Sequence, residues 1–484
     1  MQGKKMLFVD WRHMRCGALS WITPEGARYG VANPPEPQVA MHARTQGVPH
    51  GIRLVAQRAQ KTQPVEDWKG WGRIIYDGGR YRSWYFEING IAKLGSGSPA
   101  HARPPTSVVI CAVESNDGFS WSGIGRCQIS VPGQRGFDGV TFMVDPAAPP
   151  AQRYKFIYYA GFAEGMFQRH LEEYLARPEH IRDARISRER RHGMFAAVSP
   201  DGLNWTALPE PIMLHPSDTD TTVFWDEALG KYVMYTRMIR DERRWIGRAE
   251  AEDFAHWGPV QPLIWPRLDD PPDYDFYLNG YTRYPGLPHY QLMFPMVWHR
   301  YTERSEVRLY ASADGIAWNQ VPPGPVIEPG EPGQWDSEFI AGGKDLMPMG
   351  GDKVAIPYVA TCYPHKYPRW PAVWDAWRTG WAWWPKDRVC AVLAEGEGEF
   401  WTTPVVPPGR QIRLNCKTPM AGEVRVGVEG VAGRSADDCD PITGDHTSAP
   451  VHWKGQADIG APQGAPVSLH FRLRSAELFG VEWI

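Results

Sequence analysis

Ala197–Trp205 reads AVSPDGLNW, Ala112–Trp121 reads AVESNDGFSW and Tyr310–Trp318 reads YASADGIAW. Each is a short apolar strand, a tight turn centred on Asp-Gly, and a Trp that opens the next strand. Asp-Gly suits such a turn because Gly accepts positive φ while the Asp side chain caps nearby backbone. Two weaker copies are Gly247–Trp257 (GRAEAEDFAHW) and Ala391–Trp401 (AVLAEGEGEFW). Ahead of the copies stand alternating stretches: Arg80–Phe86 (RYRSWYF), Arg153–Ala160 (RYKFIYYA), Lys231–Arg237 (KYVMYTR), His289–Met296 (HYQLMFPM) and Lys353–Ala360 (KVAIPYVA). A further short strand precedes each of these, at Gly72–Tyr76, Gly139–Val144, Thr221–Trp225, Tyr277–Arg283 and Phe339–Leu346. Period-two alternation bounded by turn residues is the mark of a strand. Five repeats of strand, turn, strand, turn, strand, turn and Trp predict an all-β chain built on a five-bladed β-propeller. The Trp and Asp-Gly signals belong to that architecture rather than to chemistry.

Outward from the repeats, the propeller is expected to span 66–404. Residues 1–65 read as an N-terminal extension that packs on the propeller or closes its last blade. The tail, 405–484, changes character: RQIRLNC, EVRVGVEG, VSLHFRLR and FGVEWI alternate strictly, which predicts a separate C-terminal β-sandwich. The charged stretch 164–191, with HLEEYLARPEHIRDARISRERR, reads as a helical insertion over one rim, shaping an entrance or a homo-oligomer contact. Its His170, His180 and His192 lack the spacing of a metal-binding helix and read as a solvated face.

Charge excludes several partners. Lys and Arg number 52 against 55 Asp and Glu, a net −3 that gives no general attraction for nucleic acid or an anionic membrane. No window approaches 18 uninterrupted apolar residues, and the apolar run Met6–Val9 is too short for a signal-peptide core. Seven scattered cysteines without CxxC indicate neither a zinc site nor a disulfide framework. A cytoplasmic location is the expectation; the sequon at Asn204 matters only if the chain is secreted.

The inner strands of a propeller converge on a funnel, so a catalytic set can take one residue from each blade. Acids stand at the start of each unit's first strand: Glu66 and Asp67, Asp138, Asp218 and Asp220, Asp273 and Asp275, Asp336 and Glu338. Carboxyls gathered around one axis raise each other's pKa, which lets one stay protonated while a neighbour remains a base. Hydrolysis of a glycosidic bond requires such a pair. Trp370, Trp374, Trp377, Trp381, Trp383 and Trp384 crowd one stretch, with Arg378, His365 and Lys366 nearby. Rings of this kind stack on sugar faces or bury an irregular loop, and both readings stand. The expected substrate-binding set is Asp218, Asp220, Asp275, Asp336, Arg237, His299, Trp377 and Trp381, on a carbohydrate substrate.

These residues resemble the five-bladed propellers of glycoside hydrolase families 32 and 43, and more closely a planctomycete-type group of family-32-like glycosidases. The resemblance rests on Leu7–Asp10 (LFVD), Ser217–Arg237 (SDTDTTVFWDEALGKYVMYTR), Trp335–Ile340 (WDSEFI), Asp437–Asp445 (DDCDPITGD) and His452–Gly455 (HWKG). It implies a hydrolase in which Asp67 is base or nucleophile, Asp138 tunes and orients, and Glu338 is the acid. The W-x-N-D-P-N-G motif of sucrose-cleaving members does not occur, so fructan is not implied. No cofactor is expected beyond a structural cation such as calcium on the axis. Three alternatives remain: a glycoside phosphorylase using Arg237, His215 and His299, a sialidase-like hydrolase suggested by the S-x-D-G-x-x-W turns, and a non-catalytic carbohydrate-binding propeller.

Overall fold

The computed structural model describes residues 4–16, 21–22, 28–29, 48–68, 74–88, 90–92, 108–130, 135–162, 165–176, 191–217, 221–365 and 377–484. Five separate sheets follow one another along it, each with its first strand innermost. Blade one orders Ile74–Asp77, Arg80–Ile88, Val108–Ser115 and Ser122–Arg126. Blade two runs Arg135–Val144, Tyr154–Gly161, His192–Ser199 and Asn204–Ala207, with Gln128–Ser130 added in parallel outside. Blade three is Thr222–Asp226, Lys231–Arg240, Arg243–Ala251 and Gln261–Ile264. In blade four the first strand is split into Tyr274–Leu278 and Tyr281–Tyr284, and the second into Leu287–Met293 and Met296–His299. Arg304–Ser312 and Asn319–Ile327 complete it.

Blade five has Phe339–Gly342 and Met347–Met349 innermost, then Lys353–Thr361 and Arg378–Pro385. Its outermost strand is Gln60–Lys61, so a segment that precedes blade one finishes the last blade. Lys353–Thr361 is buried from its second residue to its last, as a strand covered on both faces must be.

The seams between blades are aromatic. Trp84 of blade one stacks on Phe142 of blade two at 4.6 Å, and Phe142 on Phe156 at 4.7 Å. The Asp-Gly turns are built into these seams. In the first, Ser115 Oγ accepts from Gly118 N at 2.8 Å while Asp117 Oδ1 accepts from Phe119 N and Ser120 N at 2.7 and 2.8 Å. Ser199 and Asp201, and Ser312 and Asp314, repeat the pattern. Each turn's glycine carbonyl then accepts from the preceding blade: Gly118 from Trp381 Nε1, Gly202 from Trp84 Nε1, Gly315 from Tyr235 Oη, all at 2.9 Å. Glycine is required twice over at Gly202: φ is +79°, and a Cβ would stand 2.9 Å from the Trp84 ring. The seam between blades two and three uses charge instead. Lys155 lies 4.8 Å over the Phe254 ring and 3.1 Å from fully buried Asp145, which also accepts from Tyr232 Oη at 2.5 Å.

The weak copy at Ala391–Trp401 does not belong to the propeller. Cys390–Trp401 is one long strand of a different, seven-stranded sheet, paired with Leu469–Trp483 on one side and Arg53–Ala56 on the other. Its acidic Gly segment forms a bulge between Ala394 and Glu397 rather than a turn. Leu469–Trp483 organises this C-terminal β-sandwich. Glu423–Val428 pairs with its first half and Ile412–Lys417 with its second, while Lys5–Leu7 extends the edge that Cys390–Trp401 begins. Phe8, Phe400 and Phe471 form its aromatic core, the last two stacked at 4.9 Å. The chain accordingly divides into Met1–Arg58 with Val321–Gly324 and Trp384–Ile484, and Ala59–Gln320 with Pro325–Trp383. This moves both expected boundaries, at 65/66 and 404/405, because strands from either side of each pair across it.

In the charged insertion, Met166–Ala176 is a helix that buries Phe167, Leu171 and Tyr174 against Leu214. These positions lie at i, i+4 and i+7, one face of the helix. His170 approaches Glu210 at 3.1 Å; residues 177–190, with His180, lie outside the described residues.

Candidate functional site

The innermost strands run the same way along the axis, so their starts meet at one end. On blade five, Glu338 directly precedes Phe339–Gly342 and its N–H donates to Thr361 O at 3.3 Å. The half-buried Glu338 carboxylate lies 3.2 Å from Arg304 Nε, and Arg304 Nη2 donates to Ser337 O at 3.1 Å. Behind it, Phe339 stacks on His365 at 4.4 Å and meets Trp377 edge-on at 5.6 Å. Asp67 reaches the same end by another route. Thr62 N donates to Trp381 O and Val65 N to Thr379 O, at 2.9 and 2.8 Å, so the segment climbs Arg378–Pro385 toward Trp377. Glu66 and Asp67 then form an exposed turn before the inner strand of blade one.

Blades three and four add cations and rings. Arg237 is buried; its Nη2 donates to Tyr277 O at 2.7 Å and its guanidinium lies 4.1 Å from the centre of the Tyr277 ring. His215 Nε2 donates to Arg237 O at 2.6 Å. Tyr277 Oη is 3.2 Å from His365 Nε2, which connects this group to the wall behind Glu338. Arg244 stands 4.8 Å over Trp298, with burial, then Arg237, pulling its pKa down and Asp275 opposing them.

Several expected ligand contacts are corrected by these surroundings. Asp275 is wholly buried and accepts from Arg244 N and Nη1 at 2.9 and 2.8 Å, with Arg300 Nε at 3.5 Å, so it neutralises arginines instead of facing a sugar. Asp336 is likewise buried, bound by Lys61 Nζ at 2.5 Å and Tyr358 Oη at 3.0 Å. Trp381 is fully buried between Trp68 and Tyr81, at 5.4 and 5.7 Å, and is a core residue. Trp377 is buried against Phe339. His299 faces Glu306 at 3.9 Å on the strand paired with Tyr274–Leu278. Asp138 lies on Arg135–Val144 opposite Tyr159, and only its backbone is described. Asp218, Asp220, Trp370 and Trp374 lie outside the described residues. Arg244, Tyr277, Trp298 and Arg304 escaped the sequence reading; the one available signal was the pair Arg243-Arg244 opening a strand.

Farther along the axis, Lys344 of blade five donates to Phe142 O at 3.2 Å and to Thr141 Oγ1, both on blade two. Blades five and two are not neighbours in the ring, so this ammonium spans the axis. Calcium takes six to eight oxygen ligands, with carboxylates prominent. At this level the wall supplies one described carboxyl, Asp345, next to Lys344 in the chain, and no group of three or more His, Cys, Asp or Glu gathers among the described residues. Lys344 sets a lysine cation at this point of the axis. Beyond Lys344 lies a cavity of about 520 Å³ lined by the inner strands of all five blades.

No family model and no curated protein matches the chain. Among solved structures it is similar to a glycoside hydrolase at 15% identity, covering 69% of this chain and 90% of that one, with TM-score 0.44. It is also similar to a fructofuranosidase from Schwanniomyces occidentalis complexed with fructosylnystose, at 10% identity over 89% and 96% of the two chains, TM-score 0.40. A β-1,2-mannobiose phosphorylase from Listeria innocua is similar at 11% identity over 70% and 92%, TM-score 0.41.

Proposed function

We propose that the protein is a glycosidase that cleaves a terminal glycosidic bond at the axis end where the inner strands begin. The observation that carries this reading is the delivery of Glu338 and Asp67 to one end of blade five by two unrelated stretches of chain. Glu338 donates the proton to the leaving oxygen, and Asp67 acts as base or nucleophile at the anomeric carbon. Asp138, from the inner strand of blade two, orients the substrate. Arg237 and Tyr277 supply a cation and a ring face from blades three and four, and His365 a ring nitrogen from the wall behind Glu338.

General acid catalysis contributes typically 10²–10⁴-fold. Glu338→Gln should therefore lower turnover of a natural oligosaccharide by about that factor, and far less for an aryl glycoside whose leaving group needs no proton. Asp67→Asn should be inactive on both. Wild-type rates in both variants would reject the reading.

The basic groups Arg237, Arg244 and His215 favour a second reading, phosphorolysis. An absolute requirement for inorganic phosphate in the same assay would select it over hydrolysis.

A further inference from the structure

The cavity beyond Lys344 is separate from the carboxylate-bearing end. Its volume, about 520 Å³, falls within the few hundred to a thousand Å³ of small-molecule sites. Two of its charges, Lys344 and Asp345, offset one another, and the third, Arg283, is neutralised by Asp226 outside the lining. Lys344 sits beside Asp345, and Arg283 Nη2 bonds Asp226 Oδ2 at 3.0 Å. With these charges offset, the wall has no net charge to draw in an ion, which favours a neutral ligand. Tyr76, 39% exposed, offers a ring at the mouth, whereas both faces of Phe142 are already covered by Trp84 and Phe156.

One polar group on this wall is unused. The Asp345 carboxyl has no hydrogen-bond donor among the described residues, although neighbouring Leu346 N already donates to Thr282 Oγ1 at 2.8 Å. Asp345 is held there in left-handed backbone, φ +69°, a conformation that costs any residue but Gly, with Asn and Asp the best tolerated. Burial pushes its carboxyl up to about 6, with Lys344 opposing, so above that pH it is an ionised, acceptor-only group. Adjacent hydroxyls on one ring are the donors that such an acceptor suits.

We propose that this cavity is a second ligand site, for a neutral polyol of monosaccharide size, whose adjacent hydroxyls bond Asp345 and whose ring lies against Tyr76. The proposal stands independently of the glycosidase reading.

The test titrates glucose, fructose and mannose, with glucuronate and glucosamine as charged controls, into the full chain at pH 6.8. Saturation-transfer NMR and calorimetry follow binding. At least one neutral probe should bind, with Kd on the order of millimolar, and both charged controls should bind more weakly. Asp345→Asn, which keeps the left-handed backbone, should weaken the neutral probe about ten-fold, and Tyr76→Ala should weaken it several-fold. Glu338→Gln should leave that affinity unchanged whatever it does to turnover. The proposal is overturned if no neutral probe binds, or if a charged control binds as tightly. It is equally overturned if Glu338→Gln abolishes binding while Asp345→Asn and Tyr76→Ala do not.

Discussion

Asp345 titrates against the fold. Its folded pKa, about 6, lies above the model-compound value of 3.8, with burial as the cause and Lys344 opposing. A raised folded pKa means that ionisation costs stability, and the loss accumulates as pH rises from about 4 to about 6. Asp345→Asn should thus be more stable than the wild type in urea at pH 8 and no more stable at pH 3.5; equal midpoints at pH 8 would contradict this. Trp381 bears on stability in the opposite sense. Trp381→Ala removes a fully buried indole and should cost about 3–5 kcal/mol, read from urea unfolding. A raised KM with unaltered stability would return Trp381 to sugar binding. Neither side chain's role was legible in the sequence. Lys344 and Asp345 sit in a run of apolar inner-strand residues with no motif around them, and Trp381 is one of six tryptophans in a single stretch. Burial is decided by what packs opposite, which one strand's sequence does not state.

The Asp-Gly turn is the repeating element whose behaviour the sequence foretold best. Gly202 and Gly230 both have positive φ, +79° and +63°, but a Cβ at Gly202 meets Trp84 at 2.9 Å and one at Gly230 meets nothing within 4 Å. Gly202→Ala should therefore cost more than Gly230→Ala, by about 1–3 kcal/mol of overpacking. Equal costs would show that the seam yields freely. The turn carboxylates also predict acid behaviour. Backbone N–H groups of Ser120 and Phe119 hold Asp117 down at about 2, and those of Asn204 and Leu203 do the same for Asp201 against an opposing burial effect. A lowered folded pKa gives stability that is present above about 4 and lost as pH falls toward 2. The difference in unfolding midpoint between wild type and Asp117→Asn should narrow over that interval. Strand and turn were legible because their period and turn chemistry are local. Ala391–Trp401 misled because Glu-Gly-Glu-Gly resembles a turn, yet it has no Ser and Asp to cap one, and the strand simply bulges and continues.

For the whole molecule, five blades followed from counting repeats, whereas the division of the chain did not. Arg53–Ala56 pairs with Cys390–Trp401 across more than 300 residues, and nothing local announces so distant a partner. A fragment of 405–484 would lack Cys390–Trp401, the strand that flanks most of Leu469–Trp483. It should show no cooperative unfolding, while a co-expressed pair of 1–58 and 384–484 should; a folded 405–484 would contradict this. At the acid-bearing end, Asp67 and Glu338 were readable as the acid that opens each repeat. Arg244, which neutralises Asp275 from the neighbouring blade, was not, because a salt bridge between blades leaves no spacing in the chain.

The strand Gln60–Lys61 that completes blade five has a consequence for how the protein is made. It leaves the ribosome roughly 320 residues before its partner Arg378–Pro385. At about 5–20 residues per second, translation leaves that strand waiting for roughly 15–65 seconds. During that time blades one to four can pair internally, but the ring stays open and the waiting segment has no partner. A strand of only two residues, one of them Lys, offers little template for another nascent chain. Its brevity lets the ring be closed last by a piece synthesised before blade one.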